Sequence, residues 1–176
     1  MQWSHLLLQR AADRGHSGAL GDLAAMREKA GDREGAEALA RQAADLRRST
    51  NALTMLALLR ERAGDRESAA TLARKSADHG DSLSLPFLVR MRERAGQDRE
   101  GAEVLAREAA DRGYSGALGD LALMREEAGD PESAEALARE DADRGARGLG
   151  REVRQLLDRL WPHGLDPDGT PTPPWQ

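Results

Sequence analysis

Residues 17–45 read SGALGDLAAMREKAGDREGAEALARQAAD, and the chain repeats this stretch, with drift, to its C-terminal end. The Ala-Gly step at its middle recurs as Ala30-Gly31, Ala63-Gly64, Ala95-Gly96 and Ala128-Gly129, which spaces the glycines by 33, 32 and 33 residues. A fixed period of that size is the mark of stacked supersecondary units. Inside the stretch, apolar residues fall at helical spacing twice. Leu20, Leu23, Ala24 and Met26, then Ala30, make one stripe, and Ala36, Leu39, Ala40 and Ala43 make the other. Between the stripes Gly31 can take the left-handed conformation that closes one helix, and Asp32 can accept the free N–H groups that open the next. The fourth copy reads Gly129-Asp130-Pro131-Glu132, with proline where the first helical residue tolerates it best. Each unit is thus predicted to be a helix, a tight turn and an antiparallel helix. One hairpin cannot cover its own apolar faces, so the units must stack. The expected fold class is all-α, ten helices alternating in direction, with no strand.

Outward from this stretch, full units are expected over about 17–47, 50–79, 82–112 and 115–144. The third carries one extra residue at its turn (Gly96-Gln97-Asp98) and Pro86 inside its first helix; proline is acceptable only in the first turn, so that helix is expected to begin near Ser82 to Ser84. Residues 2–14 align with a second helix whose first helix is missing, and Leu6, Leu7 and Leu8 lack a packing partner. Terminal repeats normally show a polar outer face, which three leucines do not supply, so further units are expected upstream. The same leucines are candidates for self-association, giving a homodimer through the N-terminal helix. A closing helix is expected over 151–161, with Val153, Leu156, Leu157 and Leu160 inward and Pro162 and Gly164 as breakers. Residues 162–176 hold too much Pro, Gly and Asp for a packed element and are expected to be extended.

At 176 residues, 32% charged and 3% aromatic, the chain suffices for one elongated domain, 1–161, with a core of Leu, Ala and Met. A net charge of −5 argues against nucleic acid as a partner, since that needs a basic face. The absence of cysteine excludes disulfides, thiolate metal sites and a cysteine nucleophile. No apolar run reaches the length of a membrane span and the N-terminus lacks the pattern of a signal peptide, so no membrane partner and a cytoplasmic location are expected. Arginine greatly outnumbers lysine, present only as Lys29 and Lys75; with the abundant Ala and Gly this suggests a GC-rich, bacterial genome.

The unit resembles a tetratricopeptide repeat and, more loosely, the Sel1-type repeat. The likeness rests on Leu20-Gly21, Leu23-Ala24, Ala30-Gly31-Asp32, Ala36 and Ala43, and on their counterparts Leu53, Leu56-Ala57, Gly64-Asp65 and Ala69, then Leu85, Leu88, Gly96, Ala102 and Ala109, then Leu118, Leu121-Ala122, Gly129-Asp130 and Ala134. The family's large aromatic positions hold Arg27 and Ala40 instead. The resemblance implies a right-handed superhelix (solenoid) of helical hairpins whose concave groove binds protein or peptide.

Two charged ladders run through the copies. Arg27, Arg60, Arg92 and Arg125 are each followed by glutamate (Glu28, Glu61, Glu93, Glu126); they are expected to form ion pairs with Glu34, Glu67, Glu100 and Glu132, which open the following helices, rather than to read acidic partner groups. Asp13, Asp45, Asp78, Asp111 and Asp143 close the second helices, where the macrodipole disfavours them. They are expected to accept hydrogen bonds from the N-terminus of the next helix. His5, His16, His79 and His163 are single and scattered, without metal-site spacing, and Gly145 to Gly150 lacks the preceding strand of a phosphate cradle. No catalytic constellation, cofactor or metal site is expected. The leading function is therefore a non-catalytic protein- or peptide-binding scaffold, alone or as the C-terminal part of a larger signalling or regulatory protein. A structural module forming dimers or filaments through its open-ended stack is the alternative, and an enzyme a remote third. In units two and three Thr54, Leu58, Arg62, Phe87, Arg90 and Arg94 are expected to line the groove and to suit an acidic peptide or a carboxylate. Phe87 is equally readable as a core residue.

Overall fold

The structure, a computed structural model, describes residues 8, 10–12, 14, 16–47, 49–114, 116–144, 151–164 and 172. Among them nine helices run end to end: α1 (Ser17–Lys29), α2 (Arg33–Arg47), α3 (Asn51–Arg62), α4 (Arg66–Asp78), α5 (Ser84–Ala95), α6 (Arg99–Asp111), α7 (Ala117–Glu127), α8 (Pro131–Asp143) and α9 (Arg151–Leu160). Leu8 and residues 10–12, ahead of α1, are helical as well, and no described residue lies in a strand. α5 starts at Ser84, so Pro86 sits in its first turn, as the sequence requires.

The turns inside the repeats are built as their residues predict. Gly31, Gly64, Gly96 and Gly129 have φ of +85°, +82°, +65° and +79°, the left-handed region where a side chain is strained. After each, an aspartate caps the second helix: Asp32 accepts from the Gly35 N–H at 2.9 Å, Asp65 from Ser68 at 3.2 Å, Asp98 from Gly101 at 3.0 Å and Asp130 from Ser133 at 3.1 Å. Pro131 occupies the first position of α8, where no N–H is needed.

The chain divides into two compact units, 1–91 and 92–176, with α5 running across the boundary. In the first unit α1 packs on α2 and α3 on α4, while α3 also lies against α1 and α2. In the second, α7 packs on α6 and α8, and α9 covers both α7 and α8. In both units, then, a first-type helix touches both helices of the preceding repeat, α3 on α1 and α2 and α9 on α7 and α8, which is stacking by neighbours. The core of the first unit is Leu20, Leu23, Leu53, Leu56 and Leu72 against Ala36, Ala40, Ala69 and Ala73, all at most 1% exposed. In the second, Leu105, Leu118, Leu121 and Leu156 meet Ala102, Ala106, Ala134 and Ala138 in the same way. The alanine faces let second helices approach closely, which is how a chain with so few aromatics closes a core.

Two glycines inside first helices face the neighbouring first helix, and only at Gly119 does the approach exclude a side chain. A Cβ on Gly21 would lie 3.5 Å from the Ala52 Cβ of α3, and one on Gly119 would lie 2.8 Å from Val153 Cγ1 of α9. Three apolar positions differ from expectation: Met26 is 39% exposed, Ala30 is an exposed cap, and Leu39 is only half-buried. In α9, Val153 and Leu156 are buried and Leu157 and Leu160 half-buried, on the face expected. Of the N-terminal leucines, Leu8 is half-buried, while Leu6 and Leu7 lie outside the described residues, as does most of the 162–176 tail.

Candidate functional site

Which charges are free to meet a partner depends on which are used within the fold. The arginine ladder is used within it, but not as expected. Arg60, 5% exposed, donates from Nε and Nη2 to the two carboxylate oxygens of Glu28 at 3.0 and 3.1 Å, from Nη1 to Glu37 at 3.4 Å, and from Nη2 to the Arg33 carbonyl at 3.2 Å. Arg125, 2% exposed, repeats this one pair of units later: Nε lies 2.6 Å from Glu93, Nη1 donates to Glu103 at 3.2 Å and Nη2 to the Arg99 carbonyl at 3.1 Å. The partner is therefore not the glutamate opening the next helix (Glu34, Glu67, Glu100 or Glu132). It is the glutamate that follows the equivalent arginine in the preceding repeat. Adjacent helix residues point about 100° apart, so the Arg and Glu of one Arg-Glu step face opposite neighbours in the stack. Arg27 pairs with Asp32 of its own turn, at 3.2 Å, and its side chain is 44% exposed; Arg92, buried, has Asp98 at 3.3 Å.

Further staples join the same neighbours. Arg33 reaches the cap Asp65 at 2.6 Å, and Arg99 the cap Asp130 at 2.7 Å. Lys75 donates to Glu37 at 2.5 Å, whereas in the second unit Glu140 stands where Lys75 does and accepts instead from Arg107, one turn along from the counterpart of Glu37, at 3.0 Å. The aspartate ladder also differs from expectation. Among the described residues Asp45 accepts from His79 Nε2 at 3.2 Å and Asp111 from the Arg144 guanidinium, in each case the first residue past the equivalent aspartate of the next repeat rather than the N-terminus of the next helix. Asp13 lies outside the described residues.

The titrations follow from these contacts. Burial alone would raise Glu37, but hydrogen bonds and charge from Lys75 and Arg41 bring it down to about 2. The Glu28 contact raises Arg60 further. Asp65 and Asp130 are lowered, first by the Ser68 and Ser133 cap bonds. His79 is raised by its bond to the Lys75 carbonyl and by Asp45.

With these removed, the candidate groove residues can be placed. In the first unit, the Thr54 hydroxyl donates to Asp81 Oδ2 at 2.6 Å and lies 2.9 Å from Ser76 Oγ, so it is held inside the fold. Leu58 is half-buried and Arg62 exposed, one helical row apart on α3. Phe87 is 39% exposed and therefore on the surface rather than in the core. The Arg90 guanidinium carbon lies 5.2 Å from its ring centroid. Arg94, exposed, belongs to the second unit. The structure thus brings Phe87 and Arg90 together, places Leu58 and Arg62 on one face, and ties the hydroxyl of the half-buried Thr54 to Asp81 and Ser76.

Two features were missed from sequence. Every first helix from α1 to α7 carries one methionine, Met26, Met55, Met91 or Met124; Met26 is 39% exposed and the other three are half-buried. Met26, Met91 and Met124 each directly precede the ladder arginine, and that recurrence was the available signal. In the second unit a cleft of about 810 Å³ opens between α7 and α9, lined by Leu123, Glu126, Glu127, Gln155, Asp158 and Arg159. Arg159 is tied to Glu126 at 2.9 Å, which leaves this cleft acidic where a basic surface was expected in the middle repeats. Among the described residues there is no group of three or more His, Asp or Glu side chains arranged to hold a metal ion, and no helix long and apolar enough to cross a membrane. No protein-family model and no curated protein matches the chain.

Proposed function

We propose that this chain is a non-catalytic peptide-binding scaffold, a tetratricopeptide-like right-handed superhelix whose first helices present the binding face. The occupant is an extended segment with acidic side chains and an apolar anchor, held by the middle repeats. The observation that carries this reading is Phe87, an aromatic side chain left 39% exposed at the start of α5 with Arg90 stacked on it. An arginine over an exposed ring joins a flat apolar contact to a cation, and together they suit a carboxylate beside an apolar side chain. The exposed Met26 and the half-buried Met55 and Met91 add adaptable apolar area on the first helices, which fits a surface that accepts more than one sequence.

Selection from a displayed random-peptide library, followed by anisotropy titration of the enriched peptides, tests this. Acid-rich peptides with one large apolar residue are expected, weakened about tenfold or more by Phe87→Ala and by Arg90→Glu. Enrichment of basic peptides, or affinity unchanged in both variants with the fold intact, would place the contact surface elsewhere.

A further inference from the structure

We propose that Asp141 makes the docking of α9 proton-linked: acid seats this helix on α7 and α8, and neutral pH loosens it. This goes beyond the peptide reading and does not depend on it. Asp141 occupies the second-helix position filled by Ala43, Ser76 and Ala109 in the preceding repeats, a position reserved for small side chains that are at most 1% exposed. Asp141 is itself only 2% exposed, and its Oδ2 has no hydrogen-bond partner. At the equivalent place Ser76 is satisfied by Thr54 and Asp81. The fourth repeat has a carboxyl in place of that hydroxyl and no comparable donor for its Oδ2.

The surroundings explain why a proton is favoured. A Cβ on Gly119 would lie 3.0 Å from Asp141 Oδ2 and 2.8 Å from Val153 Cγ1, so the carboxyl, the α7 backbone and the inner face of α9 meet at one point. From α7 the charged neighbour is Asp120, which repels a carboxylate; on α8 itself Glu140 repels it and Arg144 attracts it, though Arg144 is already engaged with Asp111 and Glu140. From α9 the facing side chain is Val153, and the described charged residues of that helix, Arg154, Asp158 and Arg159, are exposed. Burial first, then Asp120, pushes the Asp141 carboxyl up to about 6. Once α9 lifts, water reaches the carboxyl and it returns toward its ordinary value near 3.9. A group raised in the docked state favours docking fully below that ordinary value, and the advantage is lost as pH rises through about 6. A difference of about two units corresponds to roughly fiftyfold weaker docking at pH 8 than at pH 4. Loosening would also open the α7–α9 cleft, since α9 forms one of its walls.

Trp161, at the end of α9, supplies the probe: it is 7% exposed, with the Arg139 guanidinium 5.8 Å from its ring. In the full chain carrying Trp3→Phe and Trp175→Phe, Trp161 is the only tryptophan. Acrylamide quenching of its emission is followed from pH 4.5 to 8. Quenching is expected to rise with a midpoint near 6 in this background and to stay flat after Asp141→Ala, the residue of two other repeats, and after Asp141→Asn, which keeps the shape without the charge. A flat profile in the parent, or the same transition surviving in either variant through His163 or another group, would overturn the proposal.

Discussion

Arg60 and Arg27 occupy the same repeat position, yet the first is 5% exposed and the second has a side chain 44% exposed. Removing one member of a buried pair leaves the other charged with poorer compensation, so Arg60→Met should cost about 3 kcal/mol by leaving the buried Glu28 to the half-exposed Arg33 at 3.6 Å, whereas Arg27→Met should cost about 1 kcal/mol or less. Adding Glu28→Met to Arg60→Met should recover most of the loss, because two apolar side chains need no compensation. Denaturant unfolding of the four variants checks this; equal losses at the two arginines would refute the staple. A second residue-scale expectation concerns His79, raised by the Lys75 carbonyl and Asp45. A raised histidine contributes stability fully present below its unfolded value near 6.5 and lost as pH climbs through the folded value. Wild type minus His79→Gln stability, measured from pH 5 to 9, should therefore fall toward zero on the alkaline side. The ladders also show how far sequence reaches at this scale. Their structural use was legible from the fixed Arg-Glu step. The partner was not, because a periodic sequence does not distinguish a contact within a unit from the same contact one unit back.

Among the helices, turn and cap chemistry was the most legible layer: Gly31, Asp32 and Pro131 act locally, so local reading suffices. The glycines of α1 and α7 needed the neighbouring helix. Judged alone, each costs about 1 kcal/mol against alanine. The structure separates them, since a Cβ on Gly21 meets Ala52 at an ordinary 3.5 Å while one on Gly119 meets Val153 at 2.8 Å. Gly21→Ala should therefore stabilise the chain by about 0.5–1 kcal/mol through helix propensity. Gly119→Ala should destabilise it by about 1–3 kcal/mol, because Val153 must shift in a closed interface. Thermal or urea unfolding of both variants decides it, and matching signs would mean that α9 yields more easily than its burial suggests.

At the scale of the whole chain, periodicity establishes stacked hairpins because no single hairpin can cover its own face, and neighbour-on-neighbour packing in each unit follows from that. The candidate surface was only partly legible. Pro86 could be placed from helix chemistry, but Phe87 stayed open between surface and core, and the engagement of Thr54 with Asp81 and Ser76, side chains 27 and 22 residues away, was not legible. The charges of the molecule fall into two classes that salt should separate. The staples centred on Arg60 and Arg125 lie at 5% and 2% exposure, where mobile ions do not reach between the partners. Arg62 and Arg94 are exposed and Arg90 half-exposed, so their attraction for an acidic segment acts through water and falls off over about 8 Å at physiological ionic strength. Raising salt from about 0.05 to 0.5 M should consequently leave the unfolding midpoint nearly unchanged while weakening the acidic peptide severalfold. Measuring both on one preparation makes the comparison internal. If stability fell with salt as steeply as affinity, the buried ladders would not be what holds the repeats in register, and the apolar contacts of the leucine and alanine faces would have to do so alone.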